Sequence, residues 1–292
     1  MNTPADQGAP ATDTSSSGLP RTGRMLSSTG RYALLLLALL IALFPLFWLV
    51  RTSISTRRIA LAEEPVWLFK PTFDAYRSVF ESDYPRYLMN SAVVVTASVA
   101  MVMILGTLAG YSLARFPIRG KEDWFFYVIT TRMGPPVAFA LPFYIIYERT
   151  DLLDSYLGMI VMYVVVNLAF AVWMTRSFFE DIPKSQEESA MVDGLSRLQA
   201  FLRVTLPQAA PGLIATAIFI FIIAWNEFFY AAMLTRDSAR TFTTALPQFV
   251  GFSRIRWEEM AAASVVSVAP VMVFAALVRR NLVRGLTFGA VK

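Results

Sequence analysis

Six stretches of this chain are each apolar over about 20 residues, the length a helix needs to cross a lipid bilayer, and no other property narrows the fold so far. They lie near 32–50, 87–114, 124–147, 156–178, 212–234 and 260–278. The whole chain is 56% hydrophobic with a mean hydropathy of +0.52; soluble domains carry roughly 45–50% apolar residues. The expected class is an all-α membrane protein with six transmembrane helices. The second stretch is longer than a simple crossing and is expected to project beyond the bilayer. The first is too long for a secretory signal, starts late behind a polar tail and has no small-residue cleavage site after it, so a retained helix is expected. Residues 1–30, rich in Ser, Thr, Pro and Gly, cannot bury a core and are expected to be disordered.

Between the fourth and fifth stretches runs a polar segment, S-Q-E-E-S-A-M-V-D-G-L-S-R-L-Q-A-F-L-R-V-T-L-P-Q-A-A-P, from Ser185 to Pro211. Ser185 with Glu188, and Ser196 with Gln199, have the spacing of capping boxes. Gly194 lies between them, where a helix can end in a left-handed residue without a Cβ clash. Leu195, Leu198 and Leu202 then recur at helical spacing. These signals predict two short capped helices joined by a glycine elbow, with an apolar stripe that must dock onto something. Without a partner, the same residues would merely end a helix and lay the leucines on the bilayer.

This segment resembles the "EAA" loop of ABC-importer permeases, E-A-A, three residues, G, nine residues, then I-x-L-P. Glu188, Ala190, Asp193, Gly194, Phe201, Leu206, Pro207 and Pro211 stand in register, while Ser189, Leu195 and Val204 depart from the pattern. Further on, A-W-N-E-F-F-Y-A (224–231), T-F-T-T-A-L-P (241–247) and the closing V-R-G-L-T-F-G-A-V-K are similar to the maltose-type, six-span permease subunits of carbohydrate ABC importers. The likeness covers roughly residues 30–292. It implies a type I importer permease fold: a cytoplasmic tail over 1–30 and a transmembrane domain over 31–292 with its coupling loop at about 181–211. It also implies an inner-membrane location, a second homologous permease, a dimer of cytoplasmic ATPases, an extracytoplasmic solute-binding protein and a sugar as solute. Within it, Glu188, Ala190, Asp193, Gly194, Leu195, Leu198 and Pro207 would form the coupling surface, with Leu195 and Leu198 as the docking contacts. The tail at 279–292, with Gly285, Thr287, Gly289 and Lys292, would reach the ATPases.

Elimination points the same way. The chain has no cysteine and no histidine, which removes disulfides, thiolate nucleophiles, imidazole or thiolate metal sites and serine–histidine catalysis. No G-x-x-x-x-G-K-[ST] loop is present, so ATP and Mg are expected on a partner ATPase, with no cofactor in this chain and no enzymatic step of its own. Excess Lys and Arg leans towards both termini inside, with Arg115, Arg119, Lys121, Arg176, Lys184, Arg197 and Arg203 among the cytoplasmic set. The net charge of +5 is accounted for by basic loops beside anionic lipid headgroups and calls for no nucleic acid.

Polar residues inside the apolar stretches are the candidates for a solute path, because such groups face protein or water. Arg132 stands in T-T-R-M-G-P-P, where Pro135 and Pro136 remove two backbone donors and predict a kink or an unwound turn. It is placed to bond sugar hydroxyls, to pair with Glu227, or to snorkel to the headgroups. Tyr163 and Asn167, and again Asn226 and Tyr230, are four apart and are expected to share a helix face. Such faces suit a sugar, and equally suit hydrogen bonding between helices. The resemblance implies alternating access driven by the ATPases. A permease for a non-sugar solute and an ion-coupled carrier remain the alternatives, the latter needing acids deep in the spans, where Glu227 alone is well placed.

Overall fold

The computed structural model describes residues 28–251 and 255–287, with side chains over 30–251 and 255–276, and every long element is helical. It divides into two units, residues 1–46 and 47–292. What is described of the first unit is the start of α1 (Ser28–Ser53), whose leucines from Leu34 to Leu43 are exposed all round. A helix apolar on every side belongs in lipid or against a partner.

The second unit contains α2 (Tyr84–Arg115), α3 (Lys121–Thr130), α4 (Pro136–Arg149), α5 (Tyr156–Glu180), α6 (Lys184–Val192), α7 (Arg197–Trp225), α8 (Phe229–Leu234) and α9 (Trp257–Thr287). Short helical turns at Arg57–Ala60, Asp74–Glu81 and Phe242–Ala245 fill the connections. With α1, the helices α2, α5, α7 and the first 20 residues of α9 make five, among the described residues, that are long and apolar enough to cross a membrane.

In lipid, helices gain little from burying apolar surface against each other and associate through close packing and hydrogen bonds. The α2–α5 contact does both. A Cβ on Gly106 would come within 2.5 Å of the Ala171 Cβ, and one on Gly110 within 2.2 Å of the Thr175 hydroxyl. Thr175 donates to the Gly106 carbonyl at 2.8 Å. Residues 98, 106 and 110 meet residues 160, 171 and 175 in rising order, so the two helices run parallel. The chain must therefore return between them, which falls to α3 and α4.

That return is interrupted. α3 stops at Thr130, two tight turns follow, and α4 starts at Pro136 with Pro135 in extended backbone. Pro135 and Pro136 supply no N–H for a continuous ladder and push the preceding residue out of helix, so the expected unwound turn at 131–135 is present and neither half alone is long enough to cross.

The fifth stretch departs from expectation. α7 ends at Trp225, and Asn226 to Phe228 separate it from α8. Asn226 and Tyr230 therefore do not share a helix face. Its other end is longer than predicted: Arg197–Ala200 runs through a π-helical turn at Phe201–Thr205 into Leu206–Trp225, so the second hairpin helix is the foot of α7. Pro207, exposed in the first turn after this bulge, has no N–H to give to the preceding turn.

The bundle has two distinct ends. The finishes of α2 and α5, the start of α3 and all of α6 share one, joined by Arg115–Glu187 and Arg176–Glu122 at 2.7 Å each. The starts of α2 and α5 and the chain after α8 share the other, joined through Asn90, Asp154 and Arg86.

Candidate coupling surface and solute cavity

At the first end, α6 starts at Lys184 behind Pro183, with no side-chain cap. Ser185 and Glu188 therefore do not form the expected capping box; proline has already fixed the entry, and Glu188 points outward. The exit follows the prediction. Leu195 N–H donates to the Ala190 carbonyl and Gly194 N–H to that of Met191, both at 3.1 Å, the paired bonds of a Schellman ending. Gly194 sits at φ +93, which a side chain tolerates poorly, although a Cβ there would meet nothing within 4 Å. Asp193 occupies the C-cap. Ser196 and Gln199 form the second capping box, at 2.9 and 3.3 Å.

The result is an elbow whose exposed apolar side chains are Val192 (87%), Leu198 (65%) and Leu202 (50%). Leu195 is half-buried and Ala190 buried, so Leu195 belongs to the base of the elbow more than to its face. Val192 was passed over in the sequence because it lies on the other arm.

The elbow is bolted to the bundle by a residue the sequence did not single out. Glu187 is buried and receives Arg115 Nε at 2.7 Å and the Tyr111 hydroxyl at 2.5 Å, while Arg115 Nη2 donates to the Ile182 carbonyl at 2.9 Å. Tyr111 packs its ring on Phe201 at 4.3 Å and on Phe179 at 5.6 Å. One carboxylate thus joins α2, α6 and the foot of α7. Its helical offset of three from Ala190, the buried EAA alanine, was the signal that placed it inward.

Halfway along, the unwound turn at 131–135 opens a cavity of about 420 Å³ lined by Arg132, Gly134, Phe139, Phe143, Val166 and Tyr230 among others. Arg132 donates to the Val166 carbonyl at 2.9 Å and lies 5.6 Å from the Phe170 ring centroid. It does not pair with Glu227. That carboxylate is half-buried and caps α8, accepting the N–H groups of Tyr230 at 2.9 Å and Ala231 at 3.1 Å. The helix break after Trp225 needs those donors satisfied, so Glu227 is committed locally.

Of the six pathway candidates, Arg132 and Tyr230 line this common cavity. Tyr163 and Asn167 share a face as expected, but it is a buried one, and Asn167 donates to the Tyr163 carbonyl at 2.8 Å. Asn226 is exposed and turns back to the Ile222 carbonyl at 2.8 Å. Of the tail candidates, Gly285 and Thr287 fall in the last turns of α9, their side chains outside the described set, and Gly289 and Lys292 lie outside the described residues. The expected tail over 1–30 likewise falls almost wholly outside them.

At the second end, Asp154 sits at φ +50 and accepts the backbone N–H groups of Arg236, Asp237, Ser238 and Ala239 at 2.9–3.2 Å. Burial alone would raise its pKa, but these four donors outweigh burial and hold it below the ordinary 3.8. Asn90 binds the Ser238 and Arg240 carbonyls of the same loop at 3.0 and 2.8 Å and accepts the Tyr156 hydroxyl.

The chain is similar to proteins named as transporter permeases. The probable ABC transporter permease protein y4oR of Sinorhizobium fredii is 34% identical over 278 residues, covering 95% of this chain and 99% of its own. The trehalose/maltose transport system permease protein MalG of Thermococcus litoralis is 31% identical over 269 residues, covering 88% and 94%. A bacterial ABC transporter involved in the import of the acidic polysaccharide alginate shares the fold, with TM-score 0.72 and 24% identity over 86% of this chain and 95% of that one. The family model for the binding-protein-dependent transport system inner membrane component matches residues 103–288, from the middle of α2 past the end of α9. The chain belongs to that family.

Proposed function

We propose that this chain is the permease subunit of an ATP-driven importer and forms half of the path for a sugar or related polyhydroxylated solute. The observation that carries the reading is the elbow at Gly194: an exposed apolar face, rigidly capped, bolted through Glu187 to a helix that runs the length of the bundle. A flexible loop would absorb displacement, whereas this one transmits it. The named functions of relatives favour a saccharide: trehalose/maltose for the Thermococcus permease and diacetylchitobiose for DasC of Streptomyces coelicolor, 32% identical.

The elbow is then the coupling helix, seated in a cleft of one ATPase of a dimer, with Val192, Leu198 and Leu202 as contacts. ATP and Mg are held by that dimer. A second, homologous permease completes the path, and an extracytoplasmic binding protein delivers solute to the end organised by Asp154 and Asn90. Both termini are cytoplasmic in an inner membrane crossed six times, α3 and α4 together making the third crossing. The parallel run of α2 and α5 supports that count, because the chain between them starts at one end of the bundle and finishes at the other. ATPase closure drives the cavity outward-open, and hydrolysis returns it. An ion-coupled carrier is disfavoured because Glu227 is engaged in capping α8.

The test is co-purification of the tagged chain with the products of its neighbouring genes. An ATPase should remain bound to wild type and be lost from Leu198→Arg and Gly194→Trp, both of which point into open space in this chain. A well-folded chain that retains no ATPase would refute the reading.

A further inference from the structure

Arg132 differs from three arginines of the surrounding helices that carboxylates hold. Arg86 meets Asp237, Arg115 meets Glu187, and Arg176 meets Glu122 and Glu180, all at 2.7–2.8 Å. Arg132 meets no carboxylate among the described residues, and Glu227, the acid its sequence position suggested as a partner, is taken up by the start of α8. A guanidinium has five N–H donors. Here Nη1 binds the Val166 carbonyl and the ring of Phe170 lies alongside, which leaves Nε and Nη2 without a protein acceptor among the described residues.

The position of this charge is as telling as its lack of a partner. Arg132 lines the 420 Å³ cavity and also a second one of about 200 Å³ beside Phe170 and Trp173, and it is the sole charged residue lining either. The larger cavity falls within the roughly 300–1,000 Å³ typical of small-molecule sites. Aromatic rings stand on both sides of the guanidinium, Phe143 and Tyr230 in one cavity, Phe170 and Trp173 in the other. Rings of this kind accept the C–H faces of a saccharide. Arg132 is exposed towards these cavities, and a cation with no carboxylate beside it favours an anion passing it over an isosteric neutral molecule.

We infer that the solute is an anionic saccharide, one bearing a carboxylate or sulfonate, and that Arg132 is the counter-ion that receives its charge within the path. This rests on the importer reading above and names the substrate class of the same site. The guanidinium fork suits both groups, since each presents two or more oxygens for paired N–H donors.

The test uses the complete importer, with second permease, ATPases and binding protein, in proteoliposomes. Uptake is measured for digalacturonate and 6-sulfonated glucose, for the neutral dimethyl ester of digalacturonate and for maltose, and for a mixture of amino acids. The expected result is uptake of an acidic saccharide that falls about 10- to 100-fold in R132Q, chiefly through a raised KM, with R132K retaining more of it. Uptake confined to the neutral saccharides, or acidic uptake unchanged in R132Q, overturns the inference and leaves the importer reading standing. Uptake of amino acids alone, or of nothing in the panel, removes the sugar reading and the inference with it. If R132Q no longer assembles with the second permease, as judged by gel filtration, Arg132 belongs to that interface and the inference is likewise overturned.

Discussion

The two ends of this bundle are built on opposite plans from the same helices. At the Asp154 end, polar side chains close within the chain: four backbone N–H groups on Asp154, two backbone carbonyls on Asn90, and the Arg86 guanidinium on the Asp237 carboxylate. At the Gly194 end, the polar bonds are gathered at the base, on Glu187, and the tip is left apolar and open. One end is finished within the chain. The other is rigid where it joins the bundle and unfinished where it faces outward, which is what a docking element requires.

The contrast can be broken at several points. Glu187→Ala should have the largest effect, because it strands the buried Arg115 without its carboxylate; loss of one partner of a buried pair costs about 3–5 kcal/mol. Thermal unfolding in detergent reads it, and Glu187→Gln should recover part of the loss by keeping a bond to Tyr111. Next comes Gly194→Ala, where a Cβ at φ +93 costs about 1–2 kcal/mol although nothing stands in its way. Its fingerprint is destabilisation with no change of packing, and Gly194→Asn should be milder. Ser196→Ala should cost about 1 kcal/mol by removing one half of the capping box.

The Asp154 end is best probed by pH. Its folded pKa lies below its unfolded value, so its contribution is complete above about 3.8 and is lost as pH falls through the depressed folded value. Asp154→Asn should therefore lower the melting temperature at neutral pH and flatten its dependence on acid. An unaltered acid limb in that variant would show that the four N–H bonds do not set the stability of this end. The smallest effect on stability belongs to Leu198→Arg, expected within ±0.5 kcal/mol because the residue is already exposed, and yet it should abolish ATPase retention. That dissociation of stability from binding is the sharpest form of the contrast.

Much of this was legible in the residues, and what was not has physical reasons. Apolar length gave the long helices, and Gly194 and Ser196 gave the elbow, because caps and left-handed turns depend on a few neighbouring positions. The paired prolines gave the break between α3 and α4. The Ser185–Glu188 box failed because Pro183 settles the helix start first, and spacing alone does not rank rival caps. The break after Trp225 was missed because N-E-F-F-Y-A carries no proline or glycine; it is stabilised by Glu227 turning onto the start of α8 and by Thr243 reaching back to the Glu227 carbonyl. Glu187 was hidden for a different reason. Its partners Tyr111 and Arg115 lie more than 70 residues away, and the one local signal, its offset of three from Ala190, informs only once that alanine is known to be buried.

The close α2–α5 contact through Gly106 and Gly110 has a mechanical consequence. Two parallel helices whose backbones nearly touch, pinned by a hydroxyl bond towards their later ends, resist bending as a single beam more than either does alone. α2 has 32 residues, which gives it a length of about 48 Å. Pivoted at one end, a beam of that length tilted by about 5° sweeps its far tip through about 4 Å. The Glu187 bolt is the handle of that lever, and the loop held by Asn90 rides on its other tip.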